Sequence, residues 1–227
     1  PDQPVYGLRY KDGISPGAQL KSVEESATQY ADEICALQPQ GPYVLCGFSL
    51  GGWYAYAVAT ELLRRGAKVK LILFDTYPYC RSPWPAAGAQ YLTNALRHLR
   101  DFCDDLSKIS RTGSPMRIIK NKLAQFGVHR DSAVLEVSTD QFIEAVGRYV
   151  PKSIHIELNL FQATSSYLSV PLKISQATFW RLLVNGPINL HQLSCSHGGI
   201  FLPDNIPKLA IMVDELLSHT AIENRSN

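Results

Sequence analysis

The chain has 227 residues, 45% of them hydrophobic, and a formal net charge of +2. That length fits one large domain, or one domain with an insertion, and it supplies enough apolar residues for a full core. The near-neutral charge gives no sign of nucleic acid or a membrane surface as a partner, no apolar run is long enough for a transmembrane helix, and no signal-peptide pattern opens the chain.

In chain order, Pro4 to Tyr10 reads as a short strand and Lys11 to Gly17 as a Gly/Pro loop. The chain has no initiator Met and opens on Pro1-Asp2-Gln3-Pro4 just before that strand, which points to a start inside a larger polypeptide. Ser22 with Glu25 three residues later forms a capping-box pattern, and Val23, Ala27, Tyr30, Ala31, Ile34 and Leu37 then recur at helical spacing. Pro39-Gln40-Gly41-Pro42 stops this helix. The apolar strand Tyr43–Gly47 follows and runs into Gly47-Phe48-Ser49-Leu50-Gly51. A helix from Trp53 to Arg65 comes next, closed by Gly66. Strand, Gly-x-Ser-x-Gly turn and helix make the setting in which this motif becomes a nucleophile elbow. The turn strains the backbone so that Ser49 Oγ projects, and the amide of Leu50 points where an oxyanion would form. Gly47 and Gly51 are expected to let strand and helix cross closely.

Lys68 to Phe74 reads as a strand buried on both faces, so the order predicts an α/β fold with a mostly parallel sheet. Residues 79–152 then lack a buried strand and carry helical patterns near 88–109, 115–126 and 138–149. This block is expected to form a helical lid inserted into a core made of residues 1–78 and 153–220, with 221–227 as a tail. The sheet resumes at Ile154 to Ala163 and again near Ile188–Leu193, and Pro207 to His219 reads as the closing helix.

A serine hydroxyl needs a base, and elbow hydrolases order their groups Ser, acid, His. His98, His129, His155, His191 and His219 fall in helical or strand patterns, whereas His197 lies in the loop Ser194–Gly199 beyond the last strand, before the closing helix. His197 is therefore the expected base and His191 a structural residue. Asp75, at the carboxyl end of Lys68–Phe74, is the expected acid, since the next strand ends Phe161-Gln162-Ala163-Thr164-Ser165-Ser166 without a carboxylate. Thr76, Tyr77 and Trp84, with the aromatic residues Tyr79, Tyr91, Phe102, Phe126 and Phe142 of the block, are expected to contact substrate. Five cysteines without a C-x-x-C pair argue against a metal site or a disulfide framework and for a reducing cytoplasm, with Cys35 and Cys46 buried as small hydrophobes.

These residues together resemble the thioesterase domains of polyketide synthases and non-ribosomal peptide synthetases. The likeness rests on Gln38-Pro39-Gln40-Gly41-Pro42-Tyr43 before the elbow, Leu71–Asp75, Tyr149-Val150-Pro151 before Leu160–Ala163, Trp180 and the Ser196-His197 loop. It is weak across residues 80–148. The resemblance implies an α/β-hydrolase fold with Ser49, Asp75 and His197 as triad, and a substrate carried as a thioester on the phosphopantetheine of an acyl or peptidyl carrier domain. Release would follow by hydrolysis or cyclisation, with no cofactor bound to the chain itself. Members of the family begin with a strand, a glycine loop and a helix before the segment equivalent to Val5–Tyr10; that loop gives a second oxyanion amide, and here Leu50 N–H is the donor that can be named. A lost donor of this kind costs about 10²–10³ in turnover. A stand-alone editing thioesterase, a carboxylesterase and a non-catalytic hydrolase-like binding domain are the rival readings.

Overall fold

Four parallel strands, β1 (Tyr43–Phe48), β2 (Val69–Phe74), β3 (Leu158–Ala163) and β4 (Ile188–Leu193), form one sheet in the order β1-β2-β3-β4. The computed structural model describes residues 4–9, 20–77, 139–164 and 176–223. Its helices are α1 (Val23–Leu37), α2 (Gly51–Arg64), α3 (Thr139–Arg148), α4 (Gln176–Trp180) and α5 (Ile206–Glu223), with a 3₁₀ turn at His197–Gly199.

The two-residue period of the strands sorts their side chains between two cores. Tyr43, Leu45, Leu71, Leu73, Leu158 and Leu160 pack with residues from α1 to α4. Ile72, Phe74, Phe161 and Ala163 point the other way and pack under Leu209, Met212, Val213 and Leu216 of α5. This is the α/β-hydrolase type of layering, with the sheet covered on both faces.

Local chemistry explains why α1 and α2 begin and end where they do. Ser22 Oγ accepts from the Glu25 N–H at 3.1 Å while Glu25 accepts from the Ser22 N–H at 2.8 Å, and these bonds to Ser22 hold the Glu25 carboxyl below its ordinary value. Gly66, at φ 82°, takes the left-handed conformation that ends α2. Glu61 binds Arg64 and Arg65, and Arg65 reaches Asp32 of α1 at 2.7 Å, tying the two helices together. Arg64, then Arg65, pulls the Glu61 carboxyl down to about 2.

Several expectations need correction. Residues 4–9 form no strand; Val5 is 90% exposed, because no described strand pairs with this segment. The predicted strand from Ile154 narrows to Leu158–Ala163, preceded by a single bridge between Ile154 and Val184. His155, expected at its start, is exposed outside any strand. The closing helix runs on to Glu223 instead of stopping near His219. Cys46 is exposed and Cys35 half-buried, since β1 is the outermost described strand and its outer face is covered only in part. Of the block 79–152, residues 79–138 lie outside the described residues, and with them Tyr79, Trp84, Tyr91, Phe102 and Phe126. Its last helix, α3, packs Ile143 and Val146 into the same core as Trp53 and Tyr56 of α2.

Candidate active site

The parallel ladder between β1 and β2 ends at the pair Phe48↔Phe74, and the next residue on each strand is Ser49 or Asp75. Both depart from the strands in the same way. Ser49 has φ 52° and Asp75 φ 45°, a left-handed conformation that is costly for residues with a Cβ. Each donates its N–H one step beyond the ladder, Ser49 to Phe74 O at 2.9 Å and Asp75 to Phe161 O at 2.7 Å. The sheet register alone therefore sets two turned residues side by side at the carboxyl edge, where open α/β sheets hold their ligands.

The elbow at Ser49 depends on two glycines. A Cβ on Gly47 would lie 2.5 Å from Gly52 Cα, and a Cβ on Gly52 would collide with the Thr76 side chain. Gly51, expected to allow the close crossing, faces open space, so Gly52 does that work instead. The Thr76 side chain, from the turn after β2, lies against Gly52 in the first turn of α2. Leu50 is the N-cap residue of α2, so its N–H has no acceptor within the helix.

The Asp75 turn is gripped from several directions. Trp53 Nε1 donates to Tyr77 O at 2.8 Å, and Trp180 Nε1 donates to Thr76 O at 3.1 Å. The Asp75 carboxylate has no exposed surface. Its Oδ1 accepts from the Ala163 N–H at 3.2 Å and from Gln176 Nε2 at 2.7 Å.

His197 arrives from the far side of the sheet, on the 3₁₀ turn between β4 and α5. Its Nδ1 lies 2.6 Å from Asp75 Oδ2 and its Nε2 lies 3.0 Å from Ser49 Oγ. With Asp75 ionised, Nδ1 carries the proton and donates, leaving Nε2 as the acceptor toward the serine hydroxyl. Phe48 stacks on the imidazole at 4.8 Å between ring centroids, and Tyr77 meets it edge-on at 6.3 Å. The ring is thus bonded at both nitrogens and packed on its face.

The three residues expected as nucleophile, acid and base are brought into one hydrogen-bonded chain. Leu50 sits at the helix start beside them, and Tyr77 contributes a buried ring. Thr76 has no exposed surface; its side chain fills the crossing against Gly52. Phe142 packs edge-on against Tyr54. His191 lies in β4, stacked on Phe161 at 4.5 Å, and burial lowers its pKa below the ordinary value, as a structural residue allows. Burial, and then the Asp75 charge, push the Cys195 thiol up. No group of His, Cys, Asp or Glu among the described residues could hold a metal ion, and no described helix is long and apolar enough to cross a membrane. The sequence reading missed Gln176, Trp53 and Trp180 as supports of the Asp75 turn, because they stand 24 to 104 residues from the groups they bind.

A sequence model of the thioesterase domain family matches residues 2–217. The chain belongs to this family. Among curated proteins it is 27% identical over 208 residues to malpibaldin synthetase of Mortierella alpina and 26% identical over 227 residues to a dimodular nonribosomal peptide synthase of Bacillus subtilis. These matches cover 91% and 95% of this chain but only 3% and 9% of the synthetases. Among solved structures, the surfactin-cyclising thioesterase domain aligns with a TM-score of 0.55 and 18% identity, over 84% of this chain and 74% of that one. The prodiginine-pathway thioesterase RedJ of Streptomyces coelicolor aligns with a TM-score of 0.54 and 20% identity, over 85% of this chain and 67% of that one. At such identities the structural likeness speaks for the α/β-hydrolase fold, and the family match makes the chain a thioesterase domain of the kind found in these synthetases.

Proposed function

We propose that this thioesterase domain releases an acyl or peptidyl chain from a carrier-protein phosphopantetheine thioester through an acyl-enzyme on Ser49. The observation that carries the reading is the relay from Ser49 Oγ through His197 to Asp75, with its two contacts of 3.0 and 2.6 Å. Ser49 Oγ attacks the thioester carbonyl as His197 Nε2 takes its proton. Asp75 holds the Nδ1–H tautomer and stabilises the imidazolium. The Leu50 N–H, at the positive end of α2, faces the charge that develops on the carbonyl oxygen. When the C–S bond breaks, His197 returns the proton to the departing thiol, leaving the acyl group on Ser49. Water, or a hydroxyl or amine of the chain itself, then attacks with His197 again as base, giving an acid or a ring.

A thioester on a carrier domain is favoured as substrate because the matched relatives are synthetases, proteins far longer than the chain. The test is a fluorophosphonate probe with mass spectrometry of the adduct: Ser49 is labelled, and Ser49→Ala is not. Adduct formation on another serine overturns the assignment. An N-acetylcysteamine thioester, hydrolysed by the parent and spared by Ser49→Ala, tests the substrate class, and hydrolysis of the matching oxygen ester at an equal rate would favour a carboxylesterase.

A further inference from the structure

Gln176 is the first residue of α4, almost wholly buried, and the triad reading gives it no task. Its Nε2 donates to Asp75 Oδ1 at 2.7 Å. An ionised carboxylate can only accept, so the amide must turn its NH₂ toward Asp75 and its oxygen away. That oxygen is buried and finds no hydrogen-bond partner among the described residues. Orphaning a buried acceptor is costly, so the other end of the amide must repay it.

What the amide accomplishes is visible in how the two carboxylate oxygens divide their bonds. Oδ2 faces His197 Nδ1 at 2.6 Å. Oδ1 has the Ala163 N–H, at a long 3.2 Å, and Gln176, at 2.7 Å. Gln176 is the shorter of these two bonds and comes from a side chain fixed on a helix. Four residues along the same helix, Trp180 holds Thr76 O, so α4 grips the acid by its side chain and the following residue by its backbone.

We propose that Gln176 is a positioning residue for the reaction. By holding Oδ1 it sets the rotation of the Asp75 carboxylate about Cβ–Cγ, and so aims Oδ2 at His197. This rests on the reading of Ser49, His197 and Asp75 as the triad.

The experiment is a double-mutant cycle on the parent protein with Gln176→Met, Asp75→Asn and the pair. It measures the fluorophosphonate labelling rate of Ser49, and kcat and KM on an N-acetylcysteamine thioester. Outer-shell partners that orient metal ligands are typically worth about 10–100-fold, and a factor of that order is expected for a bond that orients Asp75. Gln176→Met should lower labelling and kcat by about that factor with KM little changed. In the Asp75→Asn background the same change should cost less than about threefold, since the residue it acts through is already impaired. An equal loss in both backgrounds, or no loss in a folded Gln176→Met, overturns the proposal. Should Gln176→Met fail to fold, Gln176→Glu decides: a protonated carboxyl can donate to Asp75 and a carboxylate cannot. Its activity relative to the parent should then rise between about pH 8 and about pH 5, and a flat ratio overturns the proposal. Undiminished turnover in Asp75→Asn overturns both this inference and the triad reading, whereas a crippled Asp75→Asn with an additive Gln176→Met overturns this inference alone.

Discussion

The two turns at the ends of β1 and β2 are twins in backbone and opposites in how they are held. Ser49 and Asp75 follow the same rung of the ladder and share a left-handed φ, 52° and 45°. The Ser49 turn is built from its neighbours: Gly47 and Gly52 clear the space, and α2 starts within two residues. The Asp75 turn is built from elsewhere, by Trp53, Phe161, Ala163, Gln176 and Trp180. A strained conformation persists only where its surroundings over-determine it. Here one set of surroundings is local and the other is assembled across the fold.

The largest expected effect breaks the comparison at its chemical end. Ser49→Ala should reduce thioester turnover by about 10⁶, as loss of a triad nucleophile does elsewhere, while the melting temperature stays near the parent's. Turnover within tenfold of the parent would remove Ser49 from the mechanism. Asp75→Asn should cost about 10⁴, because an amide at this site no longer fixes the Nδ1–H tautomer. Near-normal turnover there would mean that another acid serves.

Gly52→Ala tests whether the two turns are mechanically joined. The new methyl group collides with the Thr76 side chain, so a loss of about 1–3 kcal/mol is expected. Pairing it with Thr76→Ala should recover part of that loss in a denaturant melt; full additivity would say that the turns adjust separately. Gly51→Ala, facing open space, should leave both stability and turnover near the parent's.

The smallest effect lies away from both turns, where Glu61 joins Arg64 and Arg65. The Glu61 carboxyl is lower in the folded chain, at about 2, than its ordinary 4.5, so its contribution is complete above that ordinary value. It fades as pH falls toward about 2. Glu61→Gln should therefore lower the melting temperature at neutral pH by no more than about 2–4 °C. The gap to the parent should close in acid while turnover at neutral pH is unchanged. A gap that stays constant down to low pH would assign the effect to packing rather than charge.

Much of this was legible in the chain. Ser49 stands in a five-residue motif between a strand and a helix, and every part of that signal is contiguous. The capping box at Ser22 and Glu25 and the helix stop at Gly66 were equally local, and both formed. Order along the chain placed Asp75 and His197, since both follow strands that end at one edge. The errors share a cause. Val5 to Tyr10 has the composition of a strand, but a strand exists only through a neighbour, and no described strand pairs with residues 4–9. Cys46 lies in an apolar run, yet its exposure depends on what covers the face of β1. Gly51 and Gly52 are indistinguishable in sequence, and only the position of Thr76 tells which one is needed.

By itself, then, the sequence determined the alternation of strands and helices from α1 to β2, the elbow and the order Ser49, Asp75, His197, because periodicity, capping and turn chemistry act over a few residues. Only the tertiary structure decided how Asp75 is held. Gln176 and Trp180 reach Asp75 and Thr76 from 101 and 104 residues away. Hydrogen bonds of that span follow from sheet register and the packing of α4, and no local pattern encodes either.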